Sequence, residues 1–366
     1  MSLTITYTPN IYSSVHDDLI YTVSSDKVSD PITYPNFKYI GDVYVGSTIV
    51  ARLKRVPDPT SGIGIFNIGQ IVRNYITSTF DPTANEVLAQ VMGDGISNVT
   101  VTMKFGEDYS FENHLDITVD SARTFFNNYN GRYVTSTTSL LGHEDTMITT
   151  RPTFNFIFLT SAYFFITYFP TSTDPFTLNI TPYGGGVIYS PVITPDNAYD
   201  MLVLNISPVA LNAANAGTIT TNTIKYVVQI GTQRFEFKLI CEPLYTILPF
   251  HFMNVYGGFD TAIFTKVSRK SYSIQRSDFG KLKYKVGADG AVTFRNDNGV
   301  YYDRRSVYST VSTEKFQVNS DFLTDEDYNW LGELVGATMV YIEQFGFFYP
   351  CVITETDYAF NKNISD

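Results

Sequence analysis

The chain has 366 residues, with 25 Lys and Arg against 36 Asp and Glu, a formal charge of −11, and only 17% charged residues. That length admits two or three domains at roughly 150 residues each. The acidity argues against a broad DNA-binding face, which needs clustered Lys and Arg to neutralise phosphates. Two cysteines, Cys241 and Cys351, imply no disulfide framework and read as two buried thiols, with a single bridge between them as the alternative. The 27 Tyr and 28 Phe, with abundant Thr and Asn, fit a pleated, half-buried surface better than a helix. The expected class is therefore mainly β: tandem β-sandwich domains, fibronectin- or Ig-like, with a few short helices.

The N-terminal "MSLTITYTPN" has neither a basic leader nor an apolar core and does not read as a signal peptide. Phe37, Tyr39, Val43 and Val45 alternate toward one side. Ile49, Ala51 and Leu53 do so on the way back, with Arg52 and Lys54 facing out and a hairpin turn at Gly46-Ser47. In "NIGQIVRNYI", Ile68, Ile71, Val72, Tyr75 and Ile76 follow the spacing of one helical face, which predicts a helix near 68–76 with Asn67 as N-cap. The polar stretch from Asn127 to Arg132 ends this first sandwich, placed at 1–128.

A second sandwich-like domain is expected over 129–245. Residues Pro152 to Thr173 carry no charge, but Asn155, Thr160, Ser161 and Thr167 interrupt the run. Aromatic alternation at Phe154, Phe156 and Phe158, and again at Tyr163 and Phe165, reads as two strands around Thr160-Ser161 and not as a membrane span. "NAANAGTITTN", Asn212 to Asn222, reads as a surface loop. In "YVVQIGTQRFEFKLICE", Phe235, Phe237, Leu239 and Cys241 share one face and Arg234, Glu236 and Lys238 the other, with Gly231 at the turn.

The C-terminal β-rich unit is placed at 246–366. It opens on "HFMNVYGGFDTAIFTKVSRKSY", where Gly257-Gly258 reads as a corner between strands. Asp289-Gly290 and Asn298-Gly299 are turn signals. A helix near 324–335 follows, capped by Thr324, with Asp325, Glu326 and Asp327 at its positive end. Its stripe is Tyr328, Leu331, Leu334 and Val335, and Gly336 can stop it. A closing hairpin turns at Phe345-Gly346.

Motifs that carry chemistry are wanting. "GIGIFNIG" places Asn67 where a dinucleotide fingerprint needs glycine, and nothing matches GxxxxGK[ST]. His16, His114, His143 and His251 form no i, i+4 pair, and "HDD" and "HED" are strings of neighbours that a strand points to opposite sides. There is no GxSxG. A glycosidase needs only two carboxylates at the right separation, which 36 acidic residues allow without naming any. No catalytic, cofactor-binding or metal residue is assigned, and no cofactor is expected.

Three stretches carry a resemblance. "PNFKYIGDVYVGSTIVARLKRVPDPTSGIGIFNIGQIVRNYI" resembles the opening of a family of virion proteins of tailed phages infecting Bacteroidetes and marine bacteria. "HFMNVYGGFDTAIFTKVSRKSY" resembles their later signature, and "NSDFLTDEDYNWLGELVGATMVYIEQFGFFYPCVITETDYAFNK" their end. The resemblance implies a component of the phage particle, found in the virion and assembled in the host cytoplasm, and no mechanism. Low charge, many short strands and abundant Tyr and Phe suit an oligomeric structural part of the tail, baseplate or neck, in contact with other virion proteins and with copies of itself. The acidity argues against nucleic acid, no membrane contact is expected, and without a catalytic motif no enzymatic step is expected. Lys266, Arg269 and Lys270 are the candidate interface, as basic side chains at a rim able to meet an acidic neighbour. The alternative is a receptor- or polysaccharide-binding module at a fibre or tail tip, with a host surface glycan as partner.

Overall fold

A computed structural model describes residues 3–83, 86–128, 140, 142–240, 245–320 and 324–354. Cys241, the 129–132 part of the polar stretch and the last twelve residues lie outside them. The described chain is mainly β, with several antiparallel sheets and three α-helices. It divides into two compact units. One comprises Met1–Pro243, Leu248–Ile263 and Phe322–Asp366, and the other Leu244–Ile247 and Phe264–Asp321.

The larger unit begins with two facing sheets. Thr4–Tyr7, Ile20–Ser24 and Gly64–Asn67 form the first. Thr48–Arg55, Lys38–Val45, Asn98–Tyr109 and Glu112–Val119 form the second, with Arg123–Phe126 also on the Asn98–Tyr109 strand. Tyr21, Val23 and Phe66 meet Tyr39, Val43, Val101, Met103 and Phe105 in one core. The Gly46-Ser47 turn forms as expected, but Ile49 does not face that core. The register shifts between Val43 and Tyr44, so an extra residue in the returning strand turns Val50 inward and leaves Ile49 exposed. One residue reverses the pleat, which alternation alone cannot reveal.

The helix expected near 68–76 is shorter. α1 covers Gly69–Arg73, and Ile68 and Val72 are buried while Tyr75 is exposed. The expected cap works indirectly: Asn67 Oδ1 accepts from the Gly69 amide at 3.1 Å, with Ile68 at the N-cap position. Beyond Arg73 the amides of Asn74, Tyr75 and Ile76 reach back three residues, so the turn tightens and stops.

A three-layer stack follows. Its central sheet orders Thr146–Met147, Phe165–Phe169, Met201–Asn205 and Leu88–Met92. Ile166, Tyr168, Leu202 and Leu204 enter a core shared with the sheet Phe154–Phe158, Gln233–Ile240, Lys225–Ile230 and Asn179–Tyr183. Phe165, Phe169, Met201 and Val203 enter a core shared with the sheet Phe259–Phe264, Leu248–Met253, Val340–Gln344 and Phe347–Pro350. Both central strands are buried at every residue. Strands covered on both faces read as continuous apolar runs, which explains the membrane-like look of the Pro152 to Thr173 segment. No helix among the described residues is long and apolar enough to cross a membrane.

The two strands expected in that segment exist but lie in different layers, because Phe154–Phe158 pairs in parallel with Gln233–Ile240. Phe154 and Phe156 face outward, at 71% and 59% exposure. The Asn212 to Asn222 stretch is not all loop. α2 spans Pro208–Ala214, with Ser207 accepting from the Ala210 amide and Pro at the first helical position. α3, Asp325–Gly336, starts as expected, with a capping box between Thr324 and Asp327, but of the expected stripe only Leu334 is buried. Trp330, Gly332 and Glu333 are the other buried residues, and Tyr328, Leu331 and Val335 are half-buried. The closing hairpin pairs Val340–Gln344 with Phe347–Pro350.

Gly257-Gly258 is a packed corner. Gly257 has φ +87°, and a Cβ there would lie 2.5 Å from the Asn127 carbonyl oxygen; one on Gly258 would lie 2.5 Å from Thr167 Cβ. Asn254 closes the turn, its Oδ1 accepting from the Tyr256 and Gly258 amides.

A candidate interaction arm

The smaller unit is a ribbon whose chain leaves the stack after Ile263. Arg269–Gly280 pairs antiparallel with Arg305–Gln317. Beyond them Lys285–Val286 pairs with Val292–Thr293, and an isolated bridge joins Arg295 to Tyr301. Asx turns set the ends. Asp289 Oδ1 accepts from the Ala291 amide beside Gly290, and Asn296 Oδ1 accepts from the Asn298 and Val300 amides beside Gly299. Both glycines take positive φ, as such turns require.

Every residue of Arg269–Gly280 is exposed, as are all of Arg305–Gln317 except Ser306 and Phe316, which are half-buried. Register assigns the faces. Lys270, Tyr272, Ile274 and Arg276 lie opposite Phe316, Glu314, Ser312 and Thr310. Arg269, Ser271, Ser273, Gln275 and Ser277 lie opposite Gln317, Lys315, Thr313, Val311 and Ser309. The first face thus holds an apolar centre of Tyr272, Ile274 and Phe316, with Tyr272 59% and Ile274 52% exposed. Farther along, the Phe279 and Tyr308 rings sit 6.2 Å apart, both in solvent. Cross-strand pairs contribute roughly 0.2–1 kcal/mol each, and an isolated two-stranded ribbon is marginal in water. Large apolar side chains held in solvent on such a scaffold mark an interaction surface.

The three basic residues chosen from sequence do not share one rim. Lys270 Nζ lies 2.5 Å from Glu314 Oε1 and about equally far, at 5.5 and 5.4 Å, from the Tyr272 and Phe316 ring centres. Arg269, its neighbour, stands on the opposite face, and Lys266 lies exposed before the strand starts. Sequence reading passed over Tyr272, Ile274 and Phe316. Their signal was single apolar residues alternating with Ser and Thr, which looks like an ordinary half-buried strand.

A second polar cluster sits inside the larger unit. The Asp260 carboxylate is buried and accepts from Thr149 Oγ1 at 2.6 Å and Trp330 Nε1 at 2.9 Å, both on Oδ2. The buried Arg151 guanidinium lies between the Phe164 and Trp330 rings, 4.5 and 4.2 Å from their centres. Burial pushes it down to about 10, against the attraction of Asp260. Arg151 Nε and Asp260 Oδ1 find no protein partner. Glu333 accepts from Thr150 and from the Val255 amide. His251, fully buried, bonds Thr261 Oγ1 at 2.9 Å through Nδ1 and Glu343 Oε2 at 3.3 Å through Nε2. Burial lowers its pKa against the pull of Glu343. The carboxylates of Asp260 and Glu333 thus tie the Thr149–Arg151 segment to α3 and to the Phe259–Phe264 strand. Among the described residues no group of three or more His, Cys, Asp or Glu could hold a metal ion.

No family model matches the chain, and no curated protein does. Among solved structures, similarity is found to a tri-modular GH5 (subfamily 4) endo-beta-1,4-glucanase from Bacillus licheniformis complexed with cellotetraose. The identity is 9%, the match covers 65% of this chain and 38% of that one, and the TM-score is 0.18. A second structure of that glucanase, also at 9% identity over 65% and 38% of the two chains, gives a TM-score of 0.16. The match spans well under two thirds of the glucanase, and likeness at this level carries no argument about fold or chemistry.

Proposed function

We propose that this chain is a non-enzymatic structural component of a tailed-phage virion, an oligomeric tail, baseplate or neck-collar protein that assembles through its ribbon. The observation that carries the reading is a two-stranded ribbon with no core of its own and with Tyr272, Ile274, Phe279 and Tyr308 held in solvent. Ordering such a segment costs roughly 1–2 kcal/mol per residue in backbone entropy. Burial against a neighbour offsets that cost, and aromatic anchors dominate interfaces of this kind. The three stretches that resemble phage virion proteins supply the context. Quantitative mass spectrometry of purified particles tests it: the chain is expected in a fixed, ring-like copy number, and its absence from particles would refute the reading.

The alternative keeps a specific feature, the tyrosines of the distal ribbon. Tyr301 and Tyr308 are well exposed and could stack on sugars. Binding on a glycan array, lost on Tyr301→Ala, would favour a receptor-binding module instead.

A further inference from the structure

Charge is not spread evenly along the chain. Residues 264–321 hold 11 Lys and Arg against 6 Asp and Glu, while the rest of the chain holds 14 against 30, so the ribbon is net +5 and the remainder net −16. The overall −11 conceals a basic element on a strongly acidic chain. We propose that the ribbon docks on the acidic larger unit of a second copy of this chain, its Tyr272, Ile274 and Phe316 face forming the apolar centre and the exposed Lys281, Lys283 and Lys285, just beyond Arg269–Gly280, its basic flank. This rests on the assembly reading above and names its partner.

Physical reasons favour this occupant. Opposite net charge steers encounter and suppresses wrong pairings, and the opposite charge is carried by the same sequence. Ribbon against ribbon would bring two +5 elements together, so contact between unlike surfaces wins over a symmetric one. Such head-to-tail contacts close into rings or extend into filaments. Nucleic acid fits less well. The basic residues are divided between faces, Arg269 and Lys315 on one and Lys270 and Arg276 on the other. Asp278, Asp289, Asp297 and Asp303 interrupt them. A phosphate track needs one continuous basic face. The ribbon is also long. A strand of 12 residues spans about 40 Å at 3.3 Å per residue, long enough for one face to lie across a neighbouring copy.

Sedimentation of the full chain at low (about 50 mM) and high (about 500 mM) salt tests this. Wild type is expected to gain mass with concentration at low salt and to shift toward monomer at high salt. Y272S/I274S and K281E/K283E/K285E are each expected to weaken association by about tenfold or more, with unchanged circular dichroism because these side chains are exposed. Wild type that stays monomeric at low salt, or variants that associate like wild type, would overturn self-docking. If the monomeric chain still enters particles in fixed copy number and the variants do not, self-docking fails while the assembly reading survives. Binding to a DNA duplex that K281E/K283E/K285E abolishes, without self-association, overturns it in favour of nucleic acid.

Discussion

The three-layer stack and the ribbon are built from similar residues and solve opposite problems. In the stack, successive residues of Phe165–Phe169 feed two separate cores, so each aromatic of that strand is enclosed. In the ribbon, Tyr272 and Ile274 occupy the same pleat and meet water. The stack carries its own stabilisation, and the ribbon has to find its stabilisation in a partner. The difference is one of layering and not of composition.

Substitutions sharpen that contrast. The largest loss is expected at Phe237→Ala, about 3–5 kcal/mol by urea unfolding, because a buried ring leaves a cavity. The matching ribbon change, Ile274→Ala, is expected to stay within about 0.5 kcal/mol; similar losses at both would erase the distinction. Asp260→Ala removes the buried acceptor of Trp330 and Thr149 and the negative charge that acts on buried Arg151, whose guanidinium keeps its bonds to Asn155 and Thr261. Leaving buried donors unsatisfied costs about 1–3 kcal/mol each, and a change below about 1 kcal/mol would mean that solvent reaches the cluster. Gly258→Ala drives a Cβ into Thr167 and is expected to cost about 1–3 kcal/mol.

Acid should act on the stack. His251 has its pKa lowered by burial, so as pH falls the unfolded chain takes the proton first. Its contribution is complete above the unfolded value, about 6.5, and is lost as pH falls from there toward the depressed folded pKa, at up to about 1.4 kcal/mol per pH unit. Urea midpoints measured from pH 7 to 5 should drop, and His251→Asn should flatten that slope even if it lowers the whole curve. The smallest effect is at the closing hairpin. Phe345 sits at φ +54° and is 93% exposed. Phe345→Asn should stabilise by under about 1 kcal/mol, since Asn tolerates the left-handed region better; a destabilised variant would show that the ring packs on something.

The Lys225–Ile230 and Gln233–Ile240 hairpin of the outer sheet was legible because period 2 survives in its second strand. Phe235 and Phe237 face inward, and the hairpin around Gly231 forms where the glycine stands. The α3 cap was legible because Thr324 and Asp327 carry their chemistry locally. Ile49 was misread because a bulge is a single extra residue with no compositional mark. α1 was read too long because apolar spacing persists after the hydrogen bonding has tightened. α2 was overlooked although Ser207-Pro208 is a start signal, since the Asn-rich residues that follow suggest a loop. The Arg151–Asp260 cluster draws on residues far apart in sequence and has no local signature. In the ribbon, strands and turns were readable, but alternation says only that one side is apolar. Whether that side is covered depends on a layer that the chain does not provide.

Hydrogen exchange of the full chain at low and high protein concentration tests this most directly. Amides of Arg269–Gly280 and Arg305–Gln317 should exchange quickly in the dilute monomer, far ahead of Phe165–Phe169 and Met201–Asn205, and should gain protection as copies associate. Ribbon amides that are as protected as the central sheet in the monomer, or that stay unprotected in the associated state, would contradict the account.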